Sequence, residues 1–292
     1  MTDKLDVLIC TGKVSMEHDN PHRSFRHHSQ LLTTLLEATG RFRVRVLEEF
    51  RGIGDELLGR FDVALINYEG RRDYFSAPEG FGQTTSDALI RFVRDQGRGI
   101  VFFHSSVVQE PDWDFPHEFI EMRGVDLDPS HGVRRRPLSE DTVHTSDPRH
   151  PITDGIPAQW AVLNDDMLTG ATVLPGTQVL LTVFDSVEPY LAANWPPPNV
   201  PVDIPAGGIE ELLGMNTHQP LAWINNYGAG RCYSMMLGHD VDTFRREPFM
   251  TMLVRGVEWA GSGQVTLGPP SRGGENRLNM WPYYAGDSSR WD

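Results

Sequence analysis

Hydrophobic residues in the first part of the chain fall into two patterns. Short continuous apolar runs, such as DVLICT at residues 6–11 and GIVFFH at residues 99–104, are typical of strands buried on both faces. Between them, leucines recur at helical spacing over residues 30–38, and a second helical stretch covers residues 85–95. This alternation predicts parallel βαβ units, and therefore an α/β fold with a doubly wound, mostly parallel sheet and helices on both faces.

The second half of the chain is less regular, and residues 123–220 are rich in Pro, Asp and Gly. Residues 192–208, with three consecutive prolines, predict a long loop. We expect one domain over residues 1–268 with a decorated middle, followed by a tail at 269–292 whose four aromatic residues pack on the domain or on a partner subunit. The other predicted elements are strands at 42–47, 62–68, 133–145, 160–163, 177–184, 221–225 and 230–237, and a helix at 247–259.

Charge and cysteine content exclude several classes of protein. The chain has 292 residues, and its 40 acidic against 26 basic side chains give a net charge of -14, which speaks against nucleic-acid binding. Two cysteines are too few for a disulfide framework, a cysteine-based zinc finger or an iron–sulfur cluster, and their apolar surroundings predict buried thiols. No segment approaches the ~20 apolar residues of a membrane span, so we expect a cytoplasmic protein without membrane contact.

Several chemically reactive side chains come directly after predicted strands. Either His18 or His22 follows the strand at 6–11, Glu69 follows the strand at 62–68, His104 ends GIVFFH, and His239 follows GRCYSMML. Because the carboxyl ends of parallel strands converge on one crevice, we expect these four side chains to face a common site. The alternative for each is a hydrogen-bonded structural role, which is the commoner fate of a single histidine at a strand end.

The other histidines have plainer interpretations. His27 and His28 lie at a helix start, which favours solvated or capping roles. His150, in DPRHPI, is expected to fix a turn, and His131 and His218 are expected in loops.

Two chemistries fit this set of residues. Three neutral imidazoles (His22, His104 and His239), with a carboxylate such as Asp240 or Asp165, make a candidate open site for Zn, Mn or Fe, although no H-E-x-x-H spacing is present. A serine follows His104 at a strand-to-helix turn, where a nucleophile elbow belongs, but the G-x-S-x-G pattern is absent. The standard dinucleotide and NTP motifs are also absent from the sequence.

Seven stretches of the chain resemble the ThuA-like (trehalose-utilisation) family, a branch of the class I glutamine-amidotransferase-like fold. In order over residues 5–268 they are HRSFRHHSQLLTTLLEATGRFRV, DVALINYEG, RFVRDQGRGIVFFHSS, DPRHPITDGIP, NDDML, YGAGRCYSMMLGHD and RGVEWAGSGQVT. The resemblance implies a flavodoxin-like sheet in which His104 holds the position of the amidotransferase cysteine. Glutamine hydrolysis through a thioester is therefore not expected. Asp166 stands where the family pattern has Glu, which shortens that carboxylate by one methylene.

The family's association with disaccharide catabolism through 3-keto sugars implies a small-molecule sugar substrate. A 3-keto group acidifies the C2 proton, so a histidine base can remove it, and a metal or a second histidine can stabilise the enolate. On this reading His104 and His239 are the acid/base groups and Asp240 orients His239. The candidate substrate-binding residues are His22, Glu69, Ser105, Asp165 and His131.

Two other function classes stay open at this stage. One is a non-catalytic sugar- or partner-binding module that uses the same crevice and the aromatic tail. The other is a metal-dependent glycoside hydrolase or esterase, for which sequence cannot give the separation of the carboxylates. The tail and the acidic surface also permit a homo-oligomer.

Overall fold

The computed structural model describes residues 4–11, 25–48, 52–68, 82–108, 118–196 and 204–268. Its strands are β1 Leu5–Thr11, β2 Phe42–Glu48, β3 Val63–Asn67, β4 Gly99–Phe103, β5 Val125–Asp126, β6 Arg134–Arg135, β7 Glu140–Thr145, β8 Gln159–Leu163, β9 Leu168–Thr169, β10 Thr172–Val173, β11 Gln178–Asp185, β12 Thr217–Tyr227 and β13 Gly230–Met235. Its α-helices are α1 Phe25–Ala38, α2 Asp55–Leu58, α3 Gln83–Arg94, α4 Glu118–Arg123, α5 Glu188–Ala192 and α6 Glu247–Ser262. Within those ranges, every helix is too short or too polar to cross a bilayer.

One nine-stranded sheet organises the molecule, in the order β2-β1-β3-β4-β13-β12-β11-β7-β8. The pairings from β2 to β13 are all parallel, and those from β13 to β8 are all antiparallel. The parallel part has the flavodoxin-like order, which confirms the predicted α/β doubly wound class. Strands β7, β8 and β11 of the antiparallel part come from the irregular middle of the chain, so this decoration extends the central sheet.

Helices cover both faces of the parallel part, which explains why β3 and β4 are continuously apolar and fully buried. Successive side chains of a strand point to opposite faces. The ring of Phe102 lies 6.4 Å from Phe119 of α4, whereas the ring of Phe103 lies 6.5 Å from Phe249 of α6. Helix α1 packs beside α6. The next residue, His104, leaves the sheet at the carboxyl end of β4, between these two layers.

Several local predictions need correction. Residues 133–145 are two strands in different sheets, because Pro137 interrupts the run and β6 pairs with β9. His218 lies in β12, not in a loop. His28 is buried, stacked on Phe244 at 5.6 Å, because it falls on the inner face of α1. Helix α5 was not predicted, and it lies just before the predicted loop, of which residues 197–203 fall outside the described ranges.

Two other predictions are confirmed. Both cysteines are buried free thiols, and burial raises the pKa of Cys10 to about 12. The ring of His150 accepts a hydrogen bond from the backbone N–H of Ile152 at 3.2 Å, which is the expected turn-fixing contact.

Glu258 joins the last turn of α6 to the segment that follows it, and we expect Glu258→Gln to lower stability by about 1–3 kcal/mol at pH 7. The buried carboxylate accepts hydrogen bonds from Arg41 Nε at 2.8 Å and from the backbone N–H groups of Thr266 and Leu267 at 2.8 and 3.1 Å. Burial raises the pKa of Glu258, but the hydrogen bonds from Thr266 and Arg41 outweigh burial and leave the pKa below its usual value.

The sign of the pH dependence follows from that lowered pKa. The unfolded chain binds this proton more readily than the folded chain, so the stabilisation is present above the unfolded pKa of about 4.3 and is lost as pH falls through the lower folded pKa. Urea unfolding at pH 7 and at pH 3 should therefore show a gap between wild type and Glu258→Gln that shrinks on acidification. Glu56→Gln, in an exposed pair with Arg60, is the matched control and should change stability little. A gap that stays constant with pH would contradict this account.

Candidate active site

His104 begins the turn that follows β4, in a backbone conformation that few non-glycine residues adopt. Its φ is +48°, and residues His104–Val107 form one 3₁₀ turn. Such strain persists only where surrounding contacts hold it, and it concentrates at functional sites. The ring Nδ1 lies 2.8 Å from the carbonyl oxygen of Met236, at the end of the neighbouring strand β13. A carbonyl only accepts hydrogen bonds, so Nδ1 carries a proton, and in the neutral ring the lone pair lies on Nε2, which faces His239.

His239 meets His104 from the loop after β13. Its Nδ1 is 3.0 Å from His104 Nε2, and the ring centroids are 5.0 Å apart. Gly238 makes this approach feasible, because its φ is +116° and a Cβ atom there would lie 2.4 Å from the ring of Phe103. The two histidines are 135 residues apart in sequence but follow adjacent parallel strands, as the strand-end argument predicts.

Asp165 lies beneath the loop that carries His239. Its carboxylate is 2% exposed and accepts hydrogen bonds from the backbone N–H groups of Gly238 and His239 at 3.0 and 3.1 Å, and from Thr243 Oγ1 at 2.6 Å. Burial raises the pKa of Asp165, against the opposing influence of His104 and these hydrogen bonds. Asp165 therefore fixes the backbone of Gly238 and His239, and with it the position of the His239 ring.

Asp166 lies beside the ring of His239 rather than beneath its backbone. Its Oδ2 is 3.8 Å from His239 Nδ1 and also contacts Nη1 of Arg135 in a short ion pair. The side chains of Asp166 and His239 are 13% and 12% exposed, whereas that of Arg135 is 49% exposed. Arg135 is therefore the solvent-facing edge of a row that runs from Arg135 through Asp166 and His239 to His104.

The same atoms form the one group of potential metal ligands found among the described residues. His104, Asp166 and His239 each offer one ligand atom, and the three atoms lie within 4.8 Å of one another. Two imidazoles and one carboxylate on one side of an open position are a donor set used by zinc and by non-haem iron.

The other sequence candidates are placed as follows. Ser105 lies next to His104, and its buried Oγ has no hydrogen-bond partner among the described residues. Asp240 accepts a hydrogen bond from the backbone N–H of Asp242 at 3.0 Å. His131 lies in the turn Pro129–His131, where its exposed ring contacts Asp126 at 2.8 Å. The candidates His22 and Glu69 lie outside the described residues.

Sequence reasoning missed two members of this row, Asp166 and Arg135. In the sequence Asp166 stands out only as a departure from a family pattern, and Arg135 is the middle residue of three consecutive arginines, a pattern that indicates no particular site. The signal that could have drawn attention to Asp166 was its place in NDDML, a stretch that carries the resemblance.

Comparison with known proteins identifies the family. A family model described as trehalose utilisation (ThuA) matches residues 6–260. The chain belongs to the ThuA family. This membership confirms the resemblance in the sequence and indicates a carbohydrate-related role. No curated protein sequence matches the chain significantly.

Solved structures related to this ThuA family member share its fold at low sequence identity. A ThuA-like protein from Parabacteroides merdae is 20% identical, with a TM-score of 0.67 over 92% of this chain and 94% of that one. A ThuA-like protein from Bacteroides uniformis is 16% identical, with a TM-score of 0.61 over 89% and 94% of the two chains. A cytoplasmic protein from Salmonella typhimurium is 14% identical, with a TM-score of 0.55 over 87% and 98%. At these identities the likeness shows the fold alone.

Proposed function

We propose that this ThuA family member cleaves or isomerises a 3-keto disaccharide by proton transfer at the His104–His239 pair. The observation that carries the proposal is the 3.0 Å contact between His104 Nε2 and His239 Nδ1, with His104 Nδ1 anchored on the Met236 carbonyl oxygen. Family membership supports the sugar as substrate class. The likeness to a Salmonella protein described as cytoplasmic supports the same compartment for this chain.

The hydrogen-bond directions assign the base. In a pair of neutral rings His104 Nε2 accepts and His239 Nδ1 donates, so the lone pair of His239 lies on its Nε2. When Nε2 takes up a proton, the imidazolium charge is shared with His104 through the Nδ1–H···Nε2 hydrogen bond. The Asp166 carboxylate, 3.8 Å from Nδ1, stabilises that charge, and Asp165 keeps the backbone of His239 in place.

The proposed reaction balances without a redox step. His239 removes the C2 proton of the keto sugar, and the C–H electron pair forms the enolate of the C3 carbonyl. Collapse of the enolate forms a C1–C2 double bond as the C1–O glycosidic bond breaks, and the proton passes to the departing oxygen. Protonation of the enolate by water on the opposite face of C2, without loss of the oxygen, gives isomerisation instead, and His239 then releases its proton to solvent.

The direct test is turnover of 3-keto-trehalose by the purified chain, with unoxidised trehalose as the comparison substrate. We expect product from the keto sugar and none from trehalose, because only the keto group acidifies C2. Tight binding of the keto sugar without any product would instead favour the non-catalytic binding module.

A metal-assisted reaction is the second candidate, favoured by the convergence of His104, Asp166 and His239 within 4.8 Å. A divalent ion held there would act as a Lewis acid on a substrate oxygen. On this alternative we expect purified wild-type chain to hold Zn, Mn or Fe near one equivalent, and Asp166→Asn to lower metal affinity at least about tenfold. Elemental analysis and zinc titration check this, with Asp242→Asn, in an exposed pair with Arg245, as the control. Wild-type protein that holds no metal and binds no added zinc would rule this candidate out.

A further inference from the structure

Three consecutive arginines separate into two buried side chains and one that faces the site. The side chains of Arg134 and Arg136 are 3% and 4% exposed, and both lie against the carboxylate of Asp185. The side chain of Arg135 points away from those two side chains, towards Asp166. Its backbone is fixed as well, because Arg135 is paired with Leu168 of β9 and the N–H of Arg136 donates to Met167 O at 2.9 Å. These backbone hydrogen bonds therefore fix the position of Arg135 at the solvent-facing edge of the row.

The Arg135–Asp166 pair combines donors and acceptors in one place. A guanidinium presents N–H donors in a plane, and a carboxylate presents only acceptor lone pairs. A sugar hydroxyl both donates and accepts, so two neighbouring hydroxyls match a guanidinium and a carboxylate that lie side by side. The pair adjoins the ring of His239, where the reacting carbon would be.

The local charge discriminates between neutral and anionic sugars. Asp166 already balances the charge of Arg135, and Asp165 and Asp240 lie in the segments that flank His239. A phosphate or carboxylate placed against Arg135 would have to displace Asp166 or lie close to it, and like charges at short range repel.

We infer that Arg135 and Asp166 form the hydroxyl-binding subsite of the crevice, and that the pair selects a neutral sugar over a phosphorylated or acidic one. This inference rests on the proposed function only in taking the crevice as the sugar site. It assigns recognition to two residues whose contribution is measured by binding and not by turnover.

Titration calorimetry of the full chain with trehalose and with trehalose 6-phosphate tests the subsite, with a chelator present so that bound metal does not contribute. Wild type is expected to bind trehalose at least tenfold more tightly than its phosphate. Arg135→Ala should weaken trehalose binding about tenfold, through loss of charge-assisted hydrogen bonds. Asp166→Asn removes the repelling carboxylate and its charge on the Arg135 side of the site, so it should shift the ratio of the two affinities at least tenfold towards the phosphate. Arg91→Ala is the matched control, because Arg91 of α3 forms an exposed pair with Asp55 of α2, and it should alter neither affinity.

Wild type that binds the phosphate as tightly as trehalose, or that binds neither sugar, would overturn the inference. So would Arg135→Ala and Asp166→Asn variants that melt like wild type and keep its affinities. Turnover of the keto sugar is measured separately. Turnover of the keto sugar together with unchanged sugar affinities in the Arg135→Ala variant would leave the proposed function standing without this subsite. The expected affinities without any turnover would leave the subsite standing as part of a binding module.

Discussion

Replacing His239 with alanine is expected to lower turnover of 3-keto-trehalose by about 10²–10⁴-fold, the usual contribution of a positioned general acid or base. Affinity for the substrate should change much less, because the imidazole acts on the proton in the transition state. His104→Ala should cause a loss in the same range, since it removes the group that accepts the Nδ1–H of His239 and shares the imidazolium charge. If the two rings act as a unit, the double variant should be little worse than either single one.

The control for this experiment is His144→Ala. His144 lies in β7, where its ring is 4.8 Å from that of His218 and contacts Gln159, so its loss removes an imidazole without touching the pair. Steady-state kinetics with the keto sugar should leave this variant close to wild type. Full activity in both His104→Ala and His239→Ala would exclude the pair as the proton-transfer centre. Losses that multiply in the double variant would show two independent roles instead of one shared proton path.

The inner strands of the parallel half were predictable because they are buried on both faces, whereas the edge strand β2 was predictable from its alternation. Continuous apolar runs such as VALIN in β3 and GIVFF in β4 carry that burial directly in the sequence. The antiparallel half was harder, since β7, β8 and β11 have exposed positions among buried ones and β12 has exposed polar residues near its ends. The predicted strand at 221–225 is the buried centre of β12, Thr217–Tyr227, which begins with exposed residues.

The histidine pair was predictable from the topology of the sheet, whereas its charged neighbours were not. His104 and His239 follow β4 and β13, which are adjacent parallel strands, so the strand-end rule brings them together. Asp166 lies between β8 and β9, and β9 pairs outside the main sheet, so no strand-end rule applies to it. The direction of Arg135 depends on Asp185, which Arg134 contacts across 51 residues of sequence. A contact between residues so far apart in sequence cannot be predicted from local sequence patterns.

Breaking that contact gives the largest expected effect on stability, and we expect Asp185→Asn to destabilise the fold by about 3–5 kcal/mol. The carboxylate is fully buried and lies 2.6 Å from Arg134 Nη2, 3.3 Å from Arg136 Nε and 2.9 Å from Tyr190 Oη. Burial raises the pKa of Asp185, and the nearby Arg134 opposes that rise by favouring the charged form. Asparagine keeps the size of the side chain but replaces one acceptor oxygen with an NH2 donor, which faces the donors of Arg134 and Tyr190. It also leaves the buried guanidinium of Arg134 without a counter-charge, whereas Arg136 keeps its ion pair with Asp141.

Urea unfolding at pH 7 measures this loss, with Asp55→Asn as the control. Asp55 forms a bidentate pair with Arg91 in which both side chains are about half exposed, so removal of its charge should cost no more than about 1 kcal/mol. The same substitution at Asp185 should also weaken trehalose binding, because Arg134 and Arg136 set the direction in which Arg135 points. An Asp185→Asn variant as stable as the control variant would mean that the arginines find other partners on folding. The β6–β9 pairing alone would then hold Arg135 beside Asp166.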